Sequence, residues 1–176
     1  METIAGILSV RVRYDNSGDF YVTIDMGVPA CDATILSAVD FCGFSAEVTG
    51  MTIYSVNIGV PHAVIFLEDI EDIDLDAVVL DIRHNAPLPV GINVTFAQVI
   101  SPSTISIRTF VRGIEEEMLS CVNGFMAAVL IAVKFGKVLD DEVHVETIGG
   151  SLDISIGERA TIMGSAETVF TGEIPL

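Results

Sequence analysis

From Phe125 to Val133 the chain is apolar at every position, so a helix there must be covered on all sides. The same stretch predicts its own ends: Ser120 or Asn123 as N-terminal cap, Gly136 as stop, and Lys134 and Lys137 where positive charge suits the negative helix end. Most of the remaining chain alternates. Ile4 to Arg13 and Phe20 to Met26 switch between apolar and polar positions around Asp15-Asn16-Ser17-Gly18, which predicts a β-hairpin. Met51 to Gly59 and Ala63 to Leu67 predict strands parted by Val60-Pro61-His62. Asn93 to Ile100 and Thr104 to Val111, rich in β-branched residues, predict an antiparallel pair that turns at Ser101-Pro102-Ser103 and flanks the buried helix. Val143 to Ile148, Ser151 to Ile156, Ala160 to Met163 and Thr168 to Phe170 predict further short strands. A second, short helix is predicted from Leu75 to Ile82. The acidic run Asp69, Glu71, Asp72, Asp74 and Asp76 leads into it with N-cap chemistry and lacks the glycine and spacing of an EF-hand. Ala33 to Gly50 has the weakest pattern and is expected to be loop with one short element. The fold class that follows is α+β: a mixed β-sheet wrapped around one central buried helix.

The chain also repeats itself. Ala5-Gly6-Ile7-Leu8-Ser9-Val10-Arg11-Val12 followed by Thr23-Ile24-Asp25-Met26-Gly27 echoes Gly149-Gly150-Ser151-Leu152-Asp153-Ile154-Ser155-Ile156 followed by Ala160-Thr161-Ile162-Met163-Gly164. Two lobes built on one plan are expected. The second copy has the buried helix before it, whereas the first begins almost at Met1.

Composition narrows the partners. With 8 Lys and Arg against 25 Asp and Glu, the formal net charge of −17 repels nucleic acid and anionic membrane surfaces. The cysteines Cys31, Cys42 and Cys121 show no CxxC or metal-finger spacing, and free thiols in a reducing cytosol fit them best. The start lacks a basic segment followed by an apolar one, and Phe125 to Val133 is too short to span a bilayer. A cytoplasmic protein with neither nucleic-acid nor membrane partner is expected.

Cys121 is the cysteine with chemical potential. It falls just before or within the first turn of the buried helix, where partial positive charge favours a thiolate and free N–H groups suit a carboxylate. The competing reading is a small buried residue, as free cysteines often are.

These residues together resemble the diaminopimelate epimerases, cofactor-independent enzymes of lysine and cell-wall biosynthesis whose two similar lobes each wrap mixed sheet around a buried helix. The resemblance is carried by Ala5-Gly6 with Asp25-Met26-Gly27, by Gly59-Val60-Pro61-His62, by Gly91-Ile92-Asn93-Val94, by Arg112-Gly113 through Cys121, by Gly149-Gly150 and by Met163-Gly164. It implies that residues 51–165 form a complete second lobe. Residues 1–50 and 166–176 would then be part of a first lobe, in a chain equivalent to the later two-thirds of such an enzyme. It further implies two thiols facing each other across the substrate α-carbon, because a single base returning the proton to the side it came from inverts nothing. Cys121 falls where the second-lobe cysteine is expected, with His62 as the histidine beside the thiols. Asn93 corresponds to the substrate-binding asparagine, and Arg112 to the arginine that pairs with the distal carboxylate. Val122 and Asn123 stand in the ligand-binding first turn. No metal and no cofactor are implied.

The departures are specific. Val60 stands where an asparagine is expected, Val111 where a glutamate is, Met118 where a threonine is, and Val122 and Asn123 replace a glycine and a threonine or serine. Valine crowds a helix end that glycine leaves open to a carboxylate. The first-lobe Cys-Gly-Asn-Gly run has no match; Cys42-Gly43-Phe44-Ser45 keeps its first two residues but follows the hairpin. Two functions are therefore weighed. One is an amino-acid epimerase carrying one of the two thiols, acting on a small amino-acid-like substrate and needing a homodimer partner or a second chain. The other is a non-catalytic relative that binds a small ligand or serves as a structural subunit. Taken singly, His62 also reads as a satisfied strand-end histidine, Asn93 as a turn residue and Arg112 as a surface cation. His84 and His144 show no partner pattern and read as surface residues.

Overall fold

A computed structural model of the chain describes residues 1–3, 6–14, 20–28, 42–48, 51–85 and 92–173, with side chains left aside for 42–48, 81 and 83–85. The strands are β1 (Glu2–Thr3), β2 (Gly6–Ile7), β3 (Ser9–Tyr14), β4 (Phe20–Gly27), β5 (Cys42–Val48), β6 (Met51–Asn57), β7 (Pro61–Phe66), β8 (Asn93–Ser101), β9 (Thr104–Val111), β10 (Glu116–Met118), β11 (Glu142–Thr147), β12 (Gly150–Ile156) and β13 (Ala160–Ala166). The helices are α1 (Leu75–Asn85) and α2 (Val122–Lys134). Apart from the small β1–β2 pair, the described strands form one sheet in the order β3-β4-β13-β12-β11-β9-β8-β7-β6-β5, with β10 on β9.

The sheet is mixed because two of its neighbours are parallel. Parallel strands require a crossover. α1 supplies it between β7 and β8, and α2 between β9 and β11. The two helices cover opposite faces, and strand alternation shows it. Val64 on β7 and Ala97 on β8 belong to the apolar cluster that contains α2, whereas Ala63, Ile65, Val94 and Phe96 join Leu75, Val79 and Ile82 of α1. β7 and β8 are thus buried on both sides.

α2 is buried from Gly124 to Ala132, as its unbroken apolar run requires. It packs on β6, β7, β8, β9 and β12. Those strands span five intervals of sheet, roughly 24 Å if flat, against a helix about 10 Å across, so the sheet must curl around the helix to touch it that widely. The expected α+β core is present. The predicted ends need adjustment, because Cys121 rather than Ser120 or Asn123 is the N-cap and its side chain makes no cap hydrogen bond. At the other end Phe135 donates its N–H to Ile131, and Gly136 takes a left-handed φ of 63°. α1 begins as expected, with the Asp74 carboxylate accepting the Ala77 N–H at 3.2 Å.

Pro61 and His62 lie inside β7 rather than between strands. Thr168 to Phe170 forms no strand. Among the described residues the β13–β4 register ends with the Ala166–Phe20 pair, and Val169 and Phe170 stand exposed. His144 is not partnerless, since its Nδ1 lies 2.7 Å from the Asp153 carboxylate on the neighbouring strand. The hairpin turn 15–19, Cys31, Gly91 and most of 33–50 lie outside the described residues, as do the side chains of Cys42 and His84.

The internal repeat is visible in the backbone. Gly6 and Gly150, equivalent in the two copies, adopt φ of 122° and 125°. The hairpins β3–β4 and β12–β13 meet with β4 antiparallel to β13. Their surroundings differ. The register carries Ile162 to Ile24 and Val10, Gly164 to Val22 and Val12, and Ala166 to Phe20 and Tyr14. The α2-facing side of the sheet therefore continues onto β4 and β3 as an apolar row, where Val10, Val12 and Tyr14 are exposed. Among the described residues no helix is long and apolar enough to cross a membrane.

Candidate active site

The parallel register of β7 and β8 sets His62 beside Asn93. By alternation both share the face of Val64 and Ala97, which is the face α2 covers. His62 is fully buried and Asn93 nearly so. The Arg112 backbone N–H, at the end of β9, donates to Asn93 Oδ1 at 2.9 Å, and Asn93 Nδ2 lies 3.4 Å from His62 Nε2. Among the described residues His62 Nδ1 has no hydrogen-bond partner. Burial, reinforced by the Arg112 positive charge, lowers the His62 pKa to about 4. The ring is neutral at pH 7.

One step along the sheet, on the same face, Thr95 and Thr109 stand opposite each other with their hydroxyls 3.3 Å apart. The first turn of α2 rests on them. A Cβ at Gly124 would come within 2.6 Å of Thr109 Oγ1 and 3.0 Å of Thr95 Oγ1, so only glycine lets the helix approach this closely. This seat fixes the start of α2 one rung along the sheet from His62 and Asn93. Cys121 precedes the helix with extended backbone, φ −138° and ψ 90°, and its carbonyl accepts the Phe125 N–H at 3.0 Å. Its half-buried thiol is free. Val122 is exposed and Asn123 half-buried in the first turn.

The segment leading to Cys121 is held from two sides. Leu119 O accepts the Gly149 N–H at 3.0 Å and the Thr147 hydroxyl at 3.3 Å, and a Cβ on Gly149 would collide with that carbonyl at 2.5 Å. Upstream, β10 pairs with β9. Arg108 makes a bidentate pair with Glu117, 2.7 Å on both arms, while its Nη1 donates to the carbonyls of Ile70, Glu71 and Ile73. The Glu117 carboxylate holds the guanidinium above its ordinary pKa. Arg108 thereby ties the acidic connection before α1 to the strap before Cys121.

The fold thus gathers His62, Asn93 and the Arg112 backbone into one chain of contacts, and places Cys121, Val122 and Asn123 at the adjoining helix tip. The Arg112 side chain is exposed, and its charge is felt at His62. Thr95, Thr109, Arg108 and Glu117 carry no sequence signal that separates them from ordinary strand residues. The glycines Gly124 and Gly149 do carry one, each following a residue run that the fold then packs closely.

A family model described as diaminopimelate epimerase matches residues 54–172, which include every one of these side chains. The chain belongs to the diaminopimelate epimerase family. Among the relatives of this family member, a diaminopimelate epimerase of Methanothrix thermoacetophila is 39% identical over 176 residues, covering 99% of this chain and 61% of that one. Another, from Methanocella arvoryzae, is 40% identical over 177 residues and covers 99% and 62%. The chain spans about three-fifths of the length of the curated relatives it matches. A probable proline racemase from Agrobacterium radiobacter K84 shares the fold, with a TM-score of 0.58 at 14% identity over 97% of this chain and 59% of that one.

Proposed function

We propose that this chain carries one half of a diaminopimelate epimerase active site, with Cys121 as the acid–base thiol and His62 beside it. Asn93, Arg112, Val122 and Asn123 surround the ligand. The observation that carries the reading is the buried chain from the Arg112 N–H through Asn93 to His62, one rung from the threonine pair that seats the helix whose N-cap, Cys121, bears a free thiol. In this reading the Cys121 thiolate takes the α-proton of an amino acid, breaking C–H and forming S–H. Inversion then needs a second thiol to deliver a proton from the opposite face. Residues 51–165 act as one lobe, and 1–50 with 166–176 as part of the other. The exposed row on β3 and β4 supports a homodimer or a second chain that completes the site, in the cytoplasm.

A second reading is favoured by Val122. Exposed at the first helical position, it narrows the approach of a carboxylate to the helix N–H groups, as a binding or structural subunit tolerates better than an enzyme does. Deuterium incorporation separates the two. Incubated in D2O with LL-diaminopimelate, the purified chain is expected to exchange the α-hydrogen without inversion, and Cys121→Ser to lose that exchange. Inversion by the chain alone would overturn the half-site. Binding without exchange would favour the second reading.

A further inference from the structure

We infer that His62 is locked as the neutral tautomer with its proton on Nδ1 and serves the site as a fixed hydrogen-bond donor, not as a proton acceptor. A backbone N–H can only donate, so the Asn93 atom 2.9 Å from the Arg112 nitrogen is the carbonyl oxygen. The other end of that amide, a donor only, is then the atom facing His62 Nε2 at 3.4 Å. Two N–H groups do not point at each other, so Nε2 presents its lone pair and the proton resides on Nδ1. The ring is enclosed and carries no second proton, because burial and the Arg112 charge both oppose the cation.

Nδ1–H is therefore a buried donor that meets no acceptor among the described residues. Such groups are rare in folded proteins, and a catalytic role is one of the reasons they persist. By alternation His62 lies on the α2 face, one step beyond the threonine pair that seats the first turn of the helix. An electron-rich acceptor arriving at the Cys121 tip is what this donor awaits: the Cys121 sulfur as thiolate, or an oxygen of a bound amino acid. Only the identity of that acceptor rests on the half-site reading; the tautomer does not.

Long-range ¹H–¹⁵N correlation on the uniformly labelled full chain reports which ring nitrogen carries the proton. The chain has three histidines, and His62→Gln assigns the signal. The expected pattern is a protonated Nδ1 and a bare Nε2, unchanged from pH 8 to pH 5.5. A protonated Nε2 or a cationic ring in that range would overturn the inference. Asn93→Asp offers only acceptors, so it should turn the ring to the Nε2–H form or the cation; an unchanged ring would show that Asn93 does not set the tautomer. If that variant fails to fold, the wild-type spectrum still decides. The acceptor is found by following the Nδ1 proton. A shift on Cys121→Ser assigns the sulfur, and a shift when diaminopimelate is added to Cys121→Ser assigns the ligand. A proton indifferent to both would refute its role in the site, whatever the exchange assay returns.

Discussion

His62 makes the buried cluster sensitive to acid. In the unfolded chain the ring takes a proton near its ordinary pKa of 6.5, whereas in the fold it resists until about 4. Between those values the unfolded state binds more protons, so stability falls as pH drops through this window and is unaffected by this group above it. The loss should approach roughly 3 kcal/mol by pH 4. Urea midpoints measured from pH 7.5 to 4 in wild type and His62→Gln provide the check. The variant should lose the extra acid sensitivity, and parallel curves would mean that the ring is not so depressed. Arg112 contributes to the effect through its charge, while its N–H orders the same network through Asn93. One residue thereby links the electrostatics and the geometry of the site.

At the scale of elements, the position of Cys121 follows from how α2 is seated. Replacing Gly124 by alanine would ordinarily favour a helix by about 1 kcal/mol. Here the added Cβ meets Thr109, a short β-branched side chain with no flexible end to swing away. Overpacking of this kind costs about 1–3 kcal/mol. Gly124→Ala should therefore lower the melting temperature by several degrees, and Thr109→Ala added to it should restore most of the loss. Thermal unfolding of the two single variants and the double variant tests the contact directly. Additive effects would mean that α2 does not rest on the threonine pair. The Gly149 and Arg108 contacts act on the same segment from the other end, so the thiol is held by neighbours in β9, β11 and the acidic connection as well as by its own helix.

At the scale of the whole molecule, the sheet face that α2 covers runs on past the helix. Ile162 is buried in the α2 cluster, and its register partners Ile24 and Val10 become progressively exposed. An apolar row at a sheet edge favours association. Light scattering at roughly tens of micromolar should give a mass above the 18.8 kDa of one chain, or show capture of a second chain. Val12→Lys should weaken that association while leaving the stability of the dissociated chain unchanged, because Val12 is about half exposed. A clean monomer for the wild-type chain would argue against the row as an interface. The high negative charge works against self-association, which makes salt dependence a useful second readout.

The amino-acid sequence is enough to dictate the buried helix, the strands around it and the acidic lead into α1. Nine consecutive apolar residues have one place to go, and alternation marks one face of each strand for burial. It also singled out Cys121, His62, Asn93 and Arg112 by resemblance. How these meet depends on the assembled fold. His62 and Asn93 are 31 positions apart and become neighbours through the α1 crossover, while Arg112 serves Asn93 with its backbone rather than its side chain. Local pattern encodes which atoms leave water; register, crossovers and the surroundings of the His62 ring belong to the assembled sheet.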